Sequence, residues 1–344
     1  MGIQEKIKEI EAEMARTQKN KATNYHLGRL KGKLALLRSQ LITESKSGGK
    51  AGEGFDVARS GDARVAMVGF PSVGKSTLLS TLTNTKSEAA AYAFTTLTCI
   101  PGVVPYNNSK IQLLDLPGII EGASQGRAAE LQAKLLTKEL EDVGIRINCR
   151  PPDITYVIKK TGGIKFNSTV ELTHCDEKLC RDILHMRKVH NADILFRGNY
   201  TVDEFIDVVE GNRKYMRCLY CINKVDTITV GEMDRVARLP DTVVISAHWK
   251  LNLDFLLDKM WEYLDVVRLY TKPRGKRPDF SEPVVVPRGT AILDLCNRIH
   301  RDFAKRFKTA NVWGTSAKHV PQSVGIKHVL QDEDVVQLMT KPGK

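Results

Sequence analysis

The sequence predicts an α/β chain of several domains, built around a doubly wound sheet with a phosphate-binding loop. Three observations predict it. Residues Gly69-Phe70-Pro71-Ser72-Val73-Gly74-Lys75-Ser76 match the pattern G-x-x-x-x-G-K-[ST]. Further short polar motifs sit at the ends of apolar, β-rich runs downstream, in the order such a sheet needs. The chain has 344 residues, too many for one ordinary domain.

Each element follows from local pattern. Residues 1–45 read as a helical hairpin, because Ile3, Ile7, Ile10 and Met14 recur at helical spacing and Leu27, Leu30, Leu34, Leu37 and Leu41 do so again. A helix pair this short needs a partner surface. Residues 46–62, rich in Ser, Gly and Lys, read as a linker. Residues 63–127 form the first part of the nucleotide-binding domain, with a strand at 63–68, a glycine turn and a helix from Thr77. Residues 128–215 read as a helix near 130–143, a Pro151-Pro152 break, a Gly162-Gly163 turn and a helix near 176–188, an inserted α/β segment. Residues 216–267 return to strand, loop and helix as the second part. Residues 268–344 open on a basic, proline-containing stretch. A strand at 284–286, one basic helix at 291–307 and a terminal strand at 334–339 then make a small α+β module.

The motifs carry the chemistry. A strand feeding a glycine turn feeding a helix presents backbone N–H groups and a positive helix end to an anion. Gly69, Phe70, Pro71, Ser72, Val73, Gly74, Lys75, Ser76 and Thr77 would wrap the phosphates. Lys75 would neutralise the β/γ-phosphates and the Ser76 hydroxyl would ligate Mg²⁺. Asp115-Leu116-Pro117-Gly118 closes the run 110–114 as a D-x-x-G site. Asp115 would meet Mg²⁺, usually through water, and the Gly118 N–H would sense the γ-phosphate. Between these lies Phe94-Thr95-Thr96, placed as a first switch, where Thr96, or alternatively Thr95, closes over Mg²⁺ and the γ-phosphate. Asn223-Lys224-Val225-Asp226 reads guanine, since the Asp226 carboxylate can accept two hydrogen bonds that adenine does not supply in that arrangement. Ser246-Ala247-His248 resembles the loop whose backbone supports guanine O6. Asn223 and Asp226 together disfavour an ATPase.

Composition narrows the class. A formal charge of +12 favours a polyanionic partner such as RNA, a ribosome or an anionic membrane surface. The seven cysteines form no disulfide framework, which points to the cytosol. Cys218 and Cys221 read as part of a core strand. His174, Cys175, Cys180 and His185 fit no standard metal template. No run of 18 apolar residues occurs, so no membrane span is expected.

The words Ala15-Arg16-Thr17-Gln18-Lys19-Asn20-Lys21-Ala22-Thr23, Gly54-Phe55-Asp56-Val57, 69–77, 94–101, 112–122 and Val312-Trp313-Gly314-Thr315-Ser316 extend the pattern over nearly the whole chain. On them the sequence resembles the developmentally regulated GTP-binding proteins. These belong to the Obg superfamily of translation-factor-class GTPases, and the likeness is nearest their type-2 subgroup. The resemblance implies a P-loop GTPase domain with an N-terminal helical hairpin, an inserted α/β segment and a C-terminal TGS domain of β-grasp fold. It implies GTP/GDP and Mg²⁺ as ligands, stimulation by K⁺, a cytosolic place of work on ribosomes, and a small acidic regulatory partner with an RWD-type domain. Ile119 stands where Ras-like enzymes carry a water-orienting Gln, so hydrolysis is expected to be slow alone.

One departure stands out. After Gly118 the family continues through a switch helix and an apolar strand, whereas here Arg127 runs directly into what resembles the following helix. The deficit is on the order of 20 residues, about one helix and one strand. The missing strand would lie at the sheet centre, between the phosphate-loop strand and the N-K-x-D strand. The sheet must close the gap, recruit another segment, or open. Two functions follow as expectations: a slow GTP-hydrolysing switch, or a GTPase-deficient scaffold that binds RNA or ribosomes.

Overall fold

The computed structural model describes residues 2–18, 20, 23–47, 60–83, 100–116 and 129–341. Phe94, Thr95, Thr96, Gly118 and Ile119 lie outside the described residues.

In chain order, the elements begin with α1 (Ile3–Arg16), α2 (Asn24–Ser47), β1 (Ala63–Met67), α3 (Lys75–Thr83), β2 (Ile100–Tyr106), β3 (Ser109–Asp115) and α4 (Ala129–Val143). Next come β4 (Ile145–Ile147), β5 (Ile154–Ile158), β6 (Ile164–Ser168), α5 (Glu177–Met186), β7 (Ala192–Phe196), α6 (Val202–Glu210), β8 (Lys214–Met216) and β9 (Tyr220–Ile222). Then follow α7 (Val230–Ala237), β10 (Thr242–Val244), α8 (Leu253–Leu264), β11 (Val266–Thr271), β12 (Val284–Pro287), α9 (Ile292–Ile299), α10 (Arg301–Arg306), β13 (Phe307–Trp313), β14 (Gln322–Val324) and β15 (Val335–Thr340). They fall into two compact units, residues 1–55 with 137–217 and residues 56–136 with 218–344.

In the first unit, a sheet of order β5-β7-β6 carries α5 and α6, with Ile194, Phe196, Ile183, Leu184 and Phe205 essentially shut from water. Helix α2 finds its partner surface here. A Cβ on Gly28 would sit 2.6 Å from Leu179 Cδ2, so the absence of a side chain lets α2 approach α5. The Asp207 carboxylate, 3% exposed, accepts from Arg146 Nε at 2.6 Å, Arg146 Nη2 at 2.8 Å and Arg213 Nε at 3.0 Å, which fastens β4 and β8 to α6. Cys175 and Cys180 are buried together, sulfur to sulfur at 3.1 Å, while His185 turns to His190. Among the described residues no three metal-ligating side chains converge.

In the second unit, β11 to β15 form the sheet β12-β11-β15-β13-β14, with Ile292, Leu295 and Cys296 of α9 buried against it. The single basic helix expected at 291–307 is instead two, because His300 is extended (φ −167°, ψ 137°). Phe307 opens a strand. Ile299 and Phe303 stand 38% and 37% exposed.

Among the described residues the nucleotide-type sheet of this unit is in two separate parts. The described sheets pair β1 with β3 alone and β9 with β10 alone, giving β1-β3-β2 and β10-β9. The two parts still share one core, in which Leu79, Ile111 and Leu113 meet Val243, Ile245 and Leu256. A strand at the centre of a doubly wound sheet is ordinarily buried on both faces. Here Ala66 of β1 and Cys221 of β9 are exposed. Cys221 was expected in the core; among the described residues β9 pairs only with β10, which leaves Cys221 on an edge strand.

Candidate functional site

β1 and β3 run parallel, with Met67 opposite Asp115, so the two strands end together. The loop after β1 then turns into α3. Ser72 and Gly74 take left-handed backbone (φ 64° and 93°). At Gly74 a Cβ would also collide with Asn223 Nδ2, so this position needs glycine on both counts. Lys75 spans the loop, its Nζ donating to Gly69 O at 2.8 Å and Phe70 O at 3.0 Å.

Ser76 Oγ donates to Asp115 Oδ2 at 2.7 Å. Asp115 is 3% exposed and its Oδ1 has no hydrogen-bond partner. Buried carboxylate oxygens are rarely left unpartnered. An orphaned anionic oxygen beside a hydroxyl, at the foot of a phosphate loop, is the donor set a hard, oxygen-seeking cation takes. Ser76 and Asp115 therefore fit Mg²⁺.

The loops after β9 and β10 are assembled around Asn223. Its Nδ2 donates to Val73 O at 2.9 Å, and its Oδ1 accepts from Lys224 N at 2.8 Å and Ala247 N at 2.9 Å. Lys224, itself left-handed (φ 65°), sends its Nζ to Ser72 O at 3.0 Å. Asp226 lies in the 3-10 turn Val225–Thr227, and its Oδ1 accepts from the fully buried Ser246 Oγ at 2.6 Å. That hydrogen bond, a further one from the residue's own backbone and the nearby His248 imidazole outweigh desolvation and hold the Asp226 carboxyl below its usual range. Ala247 is buried and His248 exposed.

The structure thus brings together residues 69–77, Asp115, Asn223, Lys224, Asp226, Ser246, Ala247 and His248. Two features escaped the sequence reading. One is Asn223 as the tie between phosphate and base loops. The other is Trp249, 64% exposed beside His248, for which no motif gave a signal.

Family models match in three blocks: a 50S ribosome-binding GTPase domain at residues 64–167, the C-terminal region of that domain at 161–266, and a TGS domain at 267–340. GTP-binding protein 1 of Schizosaccharomyces pombe is 58% identical over 363 residues, covering 99% of this chain and 100% of that protein. Developmentally-regulated GTP-binding protein 2 of Bos taurus is 57% identical over 364 residues, with the same coverage. The chain belongs to the developmentally regulated GTP-binding protein family. As a member it is a GTP-binding protein of the translation-factor GTPase class, with a P-loop GTPase domain and a TGS domain; such GTPases bind guanine nucleotides, typically with Mg²⁺. The alignment with the S. pombe relative runs to 363 positions against the 344 residues of this chain, so this member lacks positions that its relative fills. Among solved structures, the S. pombe YchF GTPase matches 82% of this chain and 98% of its own at 13% identity, with a TM-score of 0.42. No helix among the described residues is long and apolar enough to cross a membrane.

Proposed function

We propose that this chain is a slow, Mg²⁺-dependent GTPase switch, stimulated by K⁺, that works on ribosomes in the cytosol with a small acidic RWD-domain partner. One observation carries the reading: the phosphate loop and the guanine loop are bonded to each other through Asn223 and Lys224 although the sheet between their strands is open. A site that had decayed with its sheet would have no reason to retain both bonds.

The roles follow. Residues 69–77 cradle the phosphates, and Lys75 swings its ammonium from Gly69 O and Phe70 O onto them. Ser76, Asp115 and Thr96 would hold the cation, which would supply neutralisation of the β/γ-phosphate charge. Phe94, Thr95 and Thr96 act as first switch and the Gly118 N–H as γ-phosphate sensor. Asp226 reads the guanine edge, with Asn223, Lys224, Ser246, Ala247 and His248 around it. Ile119 offers no hydrogen bond to water, so water positioning must come from outside the switch, from a bound K⁺ or the ribosome. The proposed division is a hairpin at 1–45, linker 46–62, GTPase domain at 63–127 and 216–267, insertion at 128–215 and TGS domain at 268–344.

A second reading is supported by the open sheet itself: a scaffold that binds RNA through its basic surface without hydrolysis. Titration of the purified chain with GDP and GTP, followed by phosphate release with and without K⁺, separates the two. Micromolar or tighter affinity with K⁺-dependent release supports the switch. Absence of nucleotide binding, with steeply salt-dependent RNA binding, supports the scaffold.

A further inference from the structure

We propose that His185 and His190 form a two-histidine chelate for a zinc-like divalent cation at the C-terminal end of α5. The pair lies in the unit of residues 1–55 and 137–217 and shares no residue with the nucleotide site.

The backbone brings the two rings together. Helix α5 ends in a tight reversal, in which Arg187 N donates to Leu184 O at 3.0 Å, Lys188 N to His185 O at 2.9 Å and Val189 N to Leu184 O at 3.0 Å. Lys188 takes the left-handed conformation (φ 59°) that closes such a helix end. The chain therefore doubles back on the last helical turn, and His190 meets His185. The next residue is pinned as well: Asn191 Oδ1 accepts from Gly163 N at 2.8 Å, and its Nδ2 donates to Lys160 O at 3.1 Å. Both histidines thus stand on backbone that is fixed without an ion, which is what a site of few ligands requires.

The spacing of the ring nitrogens suits a shared ion. His185 Nδ1 and His190 Nδ1 are 3.2 Å apart, with the rings tilted by 38°. Zinc–imidazole bonds are about 2.0–2.1 Å long. An ion at that distance from both nitrogens subtends an angle of roughly 100°, near the tetrahedral value. Both side chains are exposed, so an ion can reach them. The negative end of the α5 dipole also falls here and favours a cation. Of the two cations in the reversal, Arg187 is engaged by Glu210 of α6, and Lys188 is exposed to solvent. Among the described residues no third protein ligand converges, which leaves the remaining positions to water. Imidazole nitrogen suits zinc, copper or nickel, whereas Mg²⁺ and Ca²⁺ take oxygen. An ion held here would tie the end of α5 to the start of β7.

The test titrates the full-length chain, stripped with EDTA and kept in excess Mg²⁺, with Zn²⁺ by calorimetry. His185→Asn and His190→Asn each keep a hydrogen-bonding group in place of the Nδ1 atom but lose the imidazole. Each is expected to remove one zinc equivalent and to shrink the rise in melting temperature that zinc gives the wild type. Other histidines and cysteines of the chain can take zinc, so the imidazole nitrogen resonances of the wild type are read alongside. Zinc is expected to move the Nδ1 signals of His185 and His190 while each Nε2 keeps its proton. Nδ1 signals that zinc leaves in place, or full wild-type zinc binding in both variants, overturn the site and leave only an imidazole–imidazole hydrogen bond.

Discussion

Asn223 donates from Nδ2 to the carbonyl of Val73, two segments 150 residues apart joined at 2.9 Å. Its other amide atom accepts from Ala247 N, so one side chain holds the phosphate loop, its own strand end and the base loop in register. With no strand between β1 and β9 among the described residues, this bond holds a register that sheet pairing would otherwise share.

Asn223→Ala should therefore cost more here than the loss of one hydrogen bond. Truncation leaves the Val73 carbonyl and the Ala247 N–H without partners, and each such loss is worth about 1–3 kcal/mol. GDP affinity is expected to fall by at least tenfold and the melting temperature to drop. Calorimetric titration beside a thermal melt checks both.

Gly74→Ala should abolish nucleotide binding while circular dichroism stays native. The new Cβ meets Asn223 Nδ2 and must also adopt φ 93°. A variant that binds GDP normally would show the loop to be adaptable.

Asp115→Asn should uncouple affinity from the metal. The buried Oδ1 loses its charge, so the tightening of GTP by Mg²⁺ over EDTA is expected to shrink about tenfold or more. Binding in EDTA should change little. The comparison of the two titrations in wild type and variant is the measurement.

Acid should loosen the base loop in a defined direction. The folded Asp226 carboxyl lies below its ordinary value, with the Ser246 hydroxyl as first cause. A depressed carboxyl contributes stability that is present above the unfolded value of about 3.9 and is lost as pH falls through the folded value. Melting temperatures measured from pH 6 downward should fall more steeply for wild type than for Ser246→Ala below about pH 4. Parallel curves would remove that bond from the account.

The seam should be visible in hydrogen exchange. Amides of β1 and β9 outside their ladders with β3 and β10 are expected to exchange much faster than those of β3, which is paired with both β1 and β2. Saturating GDP should slow the amides next to Val73 and Asn223 most. Uniform protection across β1, β3 and β9 would mean that the seam is closed in solution.

Much of the fold was legible because it is written in short-range chemistry. The turn at 69–76 needs glycine and lysine at fixed spacing, and Asp115 and Asn223 end apolar runs, so the order of strands and loops could be read residue by residue. The basic helix at 291–307 was misread because charge periodicity carries no sign of the extended backbone at His300. Cys221 was misread because burial of a strand depends on a second neighbour, and among the described residues β9 has only β10.

The sequence by itself determined the chemistry of the site. Residue identity sets which groups are available to the proposed site for donating to phosphate, holding a cation or reading guanine, and Ile119 carries no amide with which to orient a water. The absence of a central strand was also legible, as missing residues. Only the tertiary structure decided what that absence does. Among the described residues no strand joins β1 to β9, and the loops are nonetheless joined through Asn223 and Lys224, because side-chain hydrogen bonds to backbone carbonyls do not require the strands beneath them to pair.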